Sequence, residues 1–484
     1  MPLFRNSAGC AMGSLVCATI FSGCSSTSNQ TKVSLREPRP QAAPVESRVR
    51  DALNGRPVRP ASLKSPEISP VNHEDLVDTL CPAVSDSDDP FAGQMELPLS
   101  QLVSEVQERN PSLRAALAAW GTAAERHPQV VALDDPMFQS MFAPASFSSS
   151  TIQSSYIVGV GQKLPWFGKR ALRGQVAEWN TVAASLDYRE VQLRLAEAAR
   201  LAFYDYYSVS RLVELNDSGL ESVNAFRETA KSKFEANQVS QQDMLQADVE
   251  LAKLEQRQVE IEQMLQVATA RINTLLHRQP QLPLPPPPQQ LEQPERLPSV
   301  DELRERAVEQ RPDLSAMAAR LQSEQSALAL TYKDYYPDFE FMGKYDTFWT
   351  DTAQRGQVAM NLNIPLYQNR RNAAVREATF RVNKMQAEYD QQVDLIRNEV
   401  QSGYAKLRAS RRTVGLYTKK VLPAAQDNVA AATSGYTAGT VDFLRLIQAQ
   451  RESLELQEKY QQAVVEYNRN RAELDRVVGA APET

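Results

Sequence analysis

Leu164-Pro165-Trp166-Phe167-Gly168-Lys169-Arg170 decides how this chain is read, because it returns 200 positions later as Ile364-Pro365-Leu366-Tyr367-Gln368-Asn369-Arg370. Each copy closes a short alternating run and opens a long helical one. Further out, Asn110-Pro111-Ser112-Leu113 matches Arg311-Pro312-Asp313-Leu314, and Phe234-Glu235-Ala236-Asn237 matches Tyr436-Thr437-Ala438-Gly439. Self-similarity at a nearly fixed offset marks a repeat architecture. The sequence therefore divides into a first repeat at 96–279, a proline-rich linker at 280–298 and a second repeat at 299–480. Pro283-Leu284-Pro285-Pro286-Pro287-Pro288 makes that linker extended and stiff.

Each repeat carries two strand signals. Val358, Met360, Leu362 and Ile364 alternate with Gln357, Ala359, Asn361 and Asn363, while Tyr156, Val158, Val160 and Leu164 alternate with Gly159, Gly161 and Lys163. Phe339, Phe341, Tyr345 and Trp349 alternate with Glu340, Lys344 and Asp346, and a weaker candidate spans Met137–Ser149. Runs of about ten residues with one apolar and one polar face suit tilted membrane strands. They also suit a water-soluble hairpin with one buried face. Four strands cannot close a barrel, and an open edge in hydrocarbon leaves backbone groups unpaired at several kcal/mol each. If the strands cross a membrane, several chains must share one barrel.

The helices are longer than a globular core needs. No proline interrupts Gly168 to Phe234, where Asn216-Asp217-Ser218-Gly219 is the one weak stretch. At ~1.5 Å per residue such a helix reaches roughly 100 Å. Ala247, Leu251, Leu254, Ile261, Leu265, Ala268, Ile272 and Leu275, with Gln258 at the missed position, form a heptad seam. A two-stranded coiled coil explains the seam alone. Helices lining a tube that continues a strand barrel explain seam and strands together.

Residues 1–23 read as a signal peptide, with Arg5 ahead of a short apolar run that ends at Phe21-Ser22-Gly23-Cys24. Cys24 and the polar Ser25-Ser26-Thr27-Ser28 behind it resemble a bacterial lipobox, which implies cleavage before Cys24, its acylation and transfer to the outer membrane. An ordinary signal peptide cleaved nearby is the other reading. Residues 24–95, rich in Pro, Ser, Asp and Arg, read as a disordered, lipid-anchored tether. Cys10 and Cys17 leave with the signal, so Cys81 has no intrachain disulfide partner.

Composition narrows the function. A net charge of −6 gives no basic footprint for nucleic acid. The three histidines, His73, His127 and His277, are too scattered for a metal site. Asp88-Asp89 and Asp134-Asp135 are loop carboxylates, and neither a phosphate-cradling loop nor a nucleophile elbow is present. The expectation is no enzyme and no cofactor, with transport energy supplied by a partner.

These features together resemble the TolC-type outer membrane efflux protein family over about residues 96–478, most specifically at the duplicated strand–Pro–aromatic–Gly–Lys–Arg junction. The form Gln162-Lys163-Leu164-Pro165-Trp166-Phe167-Gly168-Lys169-Arg170 is similar to the heavy-metal cation efflux branch. The resemblance implies a mostly α fold with a membrane β-barrel portion. Three chains would share a twelve-stranded barrel that continues into a periplasmic helical barrel. It implies a passive outer membrane exit duct for small solutes such as metal cations or drugs, working with a periplasmic adaptor and an inner membrane transporter. It places aperture and adaptor contacts at Asn237, Gln238, Val239, Ser240, Asp243, Gly439, Thr440, Val441 and Asp442, with Arg445 and Gln448 where many members carry acidic rings. Asp243 and Arg445, at like positions in the two repeats, could pair across the constriction or stand as solvated helix charges. A periplasmic structural or adaptor lipoprotein, and a protein-secretion duct, are the alternatives.

Overall fold

The computed structural model describes residues 90–91, 93–148, 150, 153–291 and 299–479. The signal peptide, Cys24, Cys81, nearly all of the 24–95 tether and the end of the linker lie outside the described residues.

The first repeat runs α1 (Leu99–Arg109), α2 (Pro111–Ala124), α3 (Arg126–Val131), β1 (Met137–Phe142), α4 (Pro144–Phe147), β2 (Tyr156–Leu164), α5 (Lys169–Glu235) and α6 (Gln241–Leu275). The second runs α7 (Val300–Gln310), α8 (Pro312–Lys333), β3 (Phe339–Asp346), β4 (Gly356–Leu362), α9 (Gln368–Leu416), a π-helical turn (Tyr417–Val421), α10 (Leu422–Thr437) and α11 (Phe443–Val478). The weak Met137–Ser149 signal is a six-residue strand followed by a helical turn that starts at Pro144. β4 ends at Leu362, short of Ile364, because Pro365 has no N–H to extend the ladder. Among the described residues no helix is long and apolar enough to cross a membrane.

The strands form one antiparallel sheet in the order β1-β2-β3-β4. Its register sorts the side chains by polarity. Phe138, Val160, Gly343 and Val358 share a rung, and Leu164, Phe339 and Leu362 share another on the same face. The opposite face carries the rungs Lys163–Glu340–Asn361 and Gln139–Gly159–Lys344–Gln357. Gly159 is required there, since a Cβ would sit 3.0 Å from the Lys344 Cβ. Val358 is 88 % exposed and Phe138 70 %, so the apolar face is uncovered.

Helices continue the sheet in the same order. Next to the strands, α5 packs against α2 and α8, and α8 packs against α9; farther away, α5 packs against α6 and α11, and α11 against α9. The wall therefore has four columns: α2 over α6, α5, α8 over α11, and α9 running through to α10. The stacked columns are spliced where Asn110 and Arg311, aligned in the two repeats, start α2 and α8. Residues of the α6 seam, Ala247, Ile261, Ala268 and Ile272, are buried, and Leu251, Leu254, Leu265 and Leu275 are half-buried.

The tether boundary needs correction. Phe91 is 2 % exposed and belongs to the core with Leu97, Leu102 and Phe203, because an aromatic ring against α5 offsets the entropy of fixing its backbone. The linker is docked too. Leu97 N–H donates to the Pro286 carbonyl at 2.9 Å, the Tyr206 hydroxyl donates to the Pro285 carbonyl at 3.1 Å, and Asn273 Nδ2 donates to the carbonyls of Pro280 and Leu282.

Candidate functional site

Two regions of the wall carry the features the sequence singles out, the hairpin tips and the strand-to-helix junction. At the first tip α5 ends at Glu235 and α6 begins at Gln241. Asn237 holds φ 56° there and Gly439 holds φ 73° at the second tip, the left-handed conformation that a tight interhelical turn demands. Gln238 N–H closes the first turn on the Lys233 carbonyl at 2.9 Å, and the Ser240 hydroxyl caps α6 through Gln242 N–H. At the second tip, Thr440 donates its hydroxyl to the Gly435 carbonyl, and half-buried Val441 lies so close over Gly435 that a Cβ there would collide. Asp442 occupies the N-cap position of α11 but its side chain makes no capping hydrogen bond to that helix.

Asp243 points into the bundle. The Tyr436 hydroxyl donates to its Oδ2 at 3.4 Å, and Lys233 Nζ donates to the carbonyls of Tyr436 and Thr437 while standing 4.5 Å from the Tyr436 ring centre. Tyr436 also meets Phe443 edge-on at 5.3 Å. Burial raises the Asp243 carboxyl above the usual range, and Asp442 adds to this, against the opposing pull of the Tyr436 hydrogen bond and Lys233. Burial and the Asp243 charge push the Tyr436 hydroxyl up to about 12. Arg445 and Gln448 lie exposed on α11, and among the described residues no ion pair joins Asp243 to Arg445. The structure thus brings Asp243 to Tyr436 and Lys233. Neither partner stands out in the sequence for this role, although Tyr436 anchors the repeat alignment.

At the other end, Gly168 adopts φ 85° immediately before α5. That turn buries Lys169 to 3 % exposure, with Nζ 2.9 Å from Asp338 and 3.5 Å from Asp334. Trp166 N–H donates to the same Asp338 oxygen, and its ring stacks on Tyr336 and Phe339. The repeated motif is therefore a structural joint between sheet and helices. Phe167 and Tyr367 stand about 80 % exposed at equivalent places.

Residues 303–480 match the family described as Outer membrane efflux protein. That match covers the second repeat of the chain. The chain is 25% identical over 353 residues to the cobalt-zinc-cadmium resistance protein CzcC of Cupriavidus metallidurans, covering 69% of this chain and 78% of that one. Its fold is similar to the outer-membrane channel OprN (TM-score 0.66, 22% identity, 82% of this chain and 91% of OprN). It is similar as well to the outer membrane protein VceC of Vibrio cholerae (TM-score 0.67, 16% identity, 80% and 97%). Among the described residues, no group of three or more His, Cys, Asp or Glu is placed to hold a metal ion.

Proposed function

We propose that three copies of this chain close into a conduit: a twelve-stranded barrel in the outer membrane and a helical tube in the periplasm. The observation that carries this reading is a shared pair of open edges. The sheet ends in β1 and β4, and the wall ends in α2 over α6 on one side and α9 on the other. β1 and β4 are antiparallel to each other within the sheet, so the β4 edge of one copy meets the β1 edge of the next antiparallel in a cyclic ring. Two copies supply eight strands, whose interior side chains fill. Three copies leave room for water beside Lys163, Glu340, Lys344 and Gln357. The apolar face meets lipid, and its span between the Trp166 and Trp349 levels is about ten residues of β3 and its flanks, roughly the height of an apolar band once tilted.

Small solutes cross such a tube without shedding their hydration, so cargo choice rests with an inner membrane transporter that supplies the energy. The likeness to CzcC and the Gln162–Arg170 junction favour metal cations over drugs or proteins as cargo. The tips at Asn237–Asp243 and Gly439–Gln448 form the periplasmic aperture and meet an adaptor. Cys24, once acylated, anchors the N-terminus to the outer membrane. Cross-linking of the detergent-extracted protein tests the assembly: a ladder stopping at three chains, with ion conductance in planar bilayers, supports it. A monomer that conducts nothing overturns it.

A further inference from the structure

One rung on the polar face of the sheet carries two methionines. Met137, Gly161, Met342 and Ala359 lie side by side from β1 to β4, next to the Lys163–Glu340–Asn361 rung of the same face. Gly161 keeps the space between the two thioethers clear. A Cβ built there would lie 3.5 Å from the Met342 methyl carbon and 3.7 Å from Glu340 Oε1. A thioether and a carboxylate oxygen therefore lean over the glycine from β3. Met137 faces Gly161 from the other side, at the ~5 Å spacing of paired strands. It is 57 % exposed on the edge strand, and its three rotatable side-chain bonds let its sulfur reach the same space.

Glu340 has an oxygen to spare. Its Oε2 accepts from Asn361 Nδ2 at 3.3 Å, which leaves Oε1 as the atom over Gly161. Among the described residues no ion pair engages Glu340. Lys163, its cross-strand partner, is exposed, and Lys344 turns its Nζ toward Asp346 at 3.6 Å.

We propose that Met137, Met342 and Glu340 hold a soft monovalent cation, copper(I) or silver(I), above Gly161. Two neutral thioethers and one carboxylate carry a single negative charge, which a monovalent ion neutralises. Thioether sulfur selects soft ions such as copper(I), whereas magnesium, calcium and manganese favour oxygen ligands. All three donors come from one chain, so binding needs no second copy. That the site faces the lumen rests on the conduit reading above, in which three copies set three such sites at one level of the barrel. A site open to water on one side binds loosely enough to release its ion, as conduction requires.

Silver nitrate in chloride-free buffer is the probe, dialysed against the detergent-extracted full-length protein in a Cys81→Ser background that removes a competing thiol. Bound metal is then counted by mass spectrometry. Replacing both methionines, Met137→Leu with Met342→Leu, keeps side-chain volume and should lose one tightly held silver per chain. Met137→Leu alone, on an exposed edge position, should weaken that silver on the order of tenfold or more, the loss that removing even a group behind a metal ligand causes. Glu340→Gln should weaken it as well, and Met264→Leu, exposed on α6, should not. Manganese(II) binding should be the same in all these variants. Unchanged silver binding in both methionine variants overturns the site. So does a loss of manganese that parallels the loss of silver, which would mark a carboxylate site without preference for soft ions. In planar bilayers silver should reduce the potassium current of the wild type more than that of the double variant. Methionine-dependent silver binding in a protein that passes no current in any form supports the site and sinks the conduit, and a normal current with silver binding indifferent to both methionines does the reverse.

Discussion

Asn110 donates its side-chain amide to the Leu275 carbonyl at 2.9 Å, joining the start of α2 to the end of α6 although 165 residues separate them. Its Oδ1 meanwhile accepts from Ser112 N–H and caps α2. One side chain thus satisfies a terminal donor of one helix and a terminal acceptor of another, making two helices behave as one column. Asn110→Ala should cost about 1–2 kcal/mol, one capping bond plus a buried carbonyl left unpaired. The second splice is closer still. Gly479 follows α11 at φ 75°, and a Cβ there would lie 3.1 Å from the Arg311 backbone. Gly479→Ala should cost about 1–2 kcal/mol from the left-handed conformation alone, with the contact adding to it. Thermal unfolding of the extracted protein measures both.

The joint between sheet and helices depends on Lys169. Asp338→Asn removes the charge facing a buried ammonium while keeping the shape of the acceptor. We expect a loss of about 2 kcal/mol, below the figure for a fully buried pair because the Asp338 side chain is 37% exposed. Burial alone would raise the Asp338 carboxyl, but the Lys169 hydrogen bond and Trp166 N–H outweigh it and hold the group below its usual range. A depressed native pKa stabilises the fold above the unfolded value and is lost as pH falls through the native one. The wild-type unfolding temperature should therefore drop below about pH 4, and the drop should be smaller in Asp338→Asn.

Much of this was legible in the residues. Alternation in Val358–Ile364 and Tyr156–Leu164 marked strands because a single sheet face is apolar, and Asn237 and Gly439 marked turns because few residues hold positive φ. The weak β1 signal reflects its composition: Met137, Met141, Phe138 and Phe142 put apolar groups on both faces, and alternation disappears. The docking of Phe91 and the linker was not legible, since proline-rich segments carry no periodicity and their contacts lie on α5, far away in sequence. The inward turn of Asp243 was hidden for a related reason. Position within a helix does not say which neighbour, Tyr436 or Arg445, occupies the facing column.

Glu250 and Arg451 make a bidentate pair across α6 and α11, with Nε–Oε1 at 3.0 Å and Nη2–Oε2 at 2.7 Å. The Glu250 side chain is only 11% exposed, and burial would raise its pKa. Arg451 and Lys253 win and lower it. Arg451→Met should destabilise more than Glu250→Gln, because it leaves a buried carboxylate with Lys253 alone. The double variant should lose less than the sum, with a coupling of about 1–2 kcal/mol. Denaturant unfolding of the three variants measures it, and additive losses would mean the pair contributes nothing.

Asp243 behaves oppositely to Asp338. A carboxyl whose native pKa is raised contributes stability at low pH that is lost as pH rises between the unfolded and native values. The tips of the wild-type protein should therefore be better protected from amide exchange near pH 4 than at pH 7. Asp243→Asn should remove that dependence and match the low-pH protection at pH 7. Tyr436→Phe should lower protection at both pH values, since Lys233 keeps its carbonyl contacts but Asp243 loses its only side-chain donor among the described residues.

The two edges of the wall make the sharpest test of assembly. On α6, outside the buried seam, Leu245, Val249, Ala252, Gln256 and Val259 form a second heptad stripe, and all are exposed, Val259 at 66%. On α9, Leu395, Ser402, Ala409 and Leu416 follow one another at seven-residue steps and are exposed as well. An apolar and a small-residue stripe on opposite edges of one wall fit head-to-tail packing between copies, and three such contacts close a ring. Val259→Arg should bury a guanidinium in that contact and shift the extracted protein from trimer to monomer, as read by native mass spectrometry. Glu452→Arg, exposed on α11 with neighbours on both sides, should leave the trimer intact. If Val259→Arg assembles as the wild type does, α6 does not face another copy, and the ring must close through some other edge.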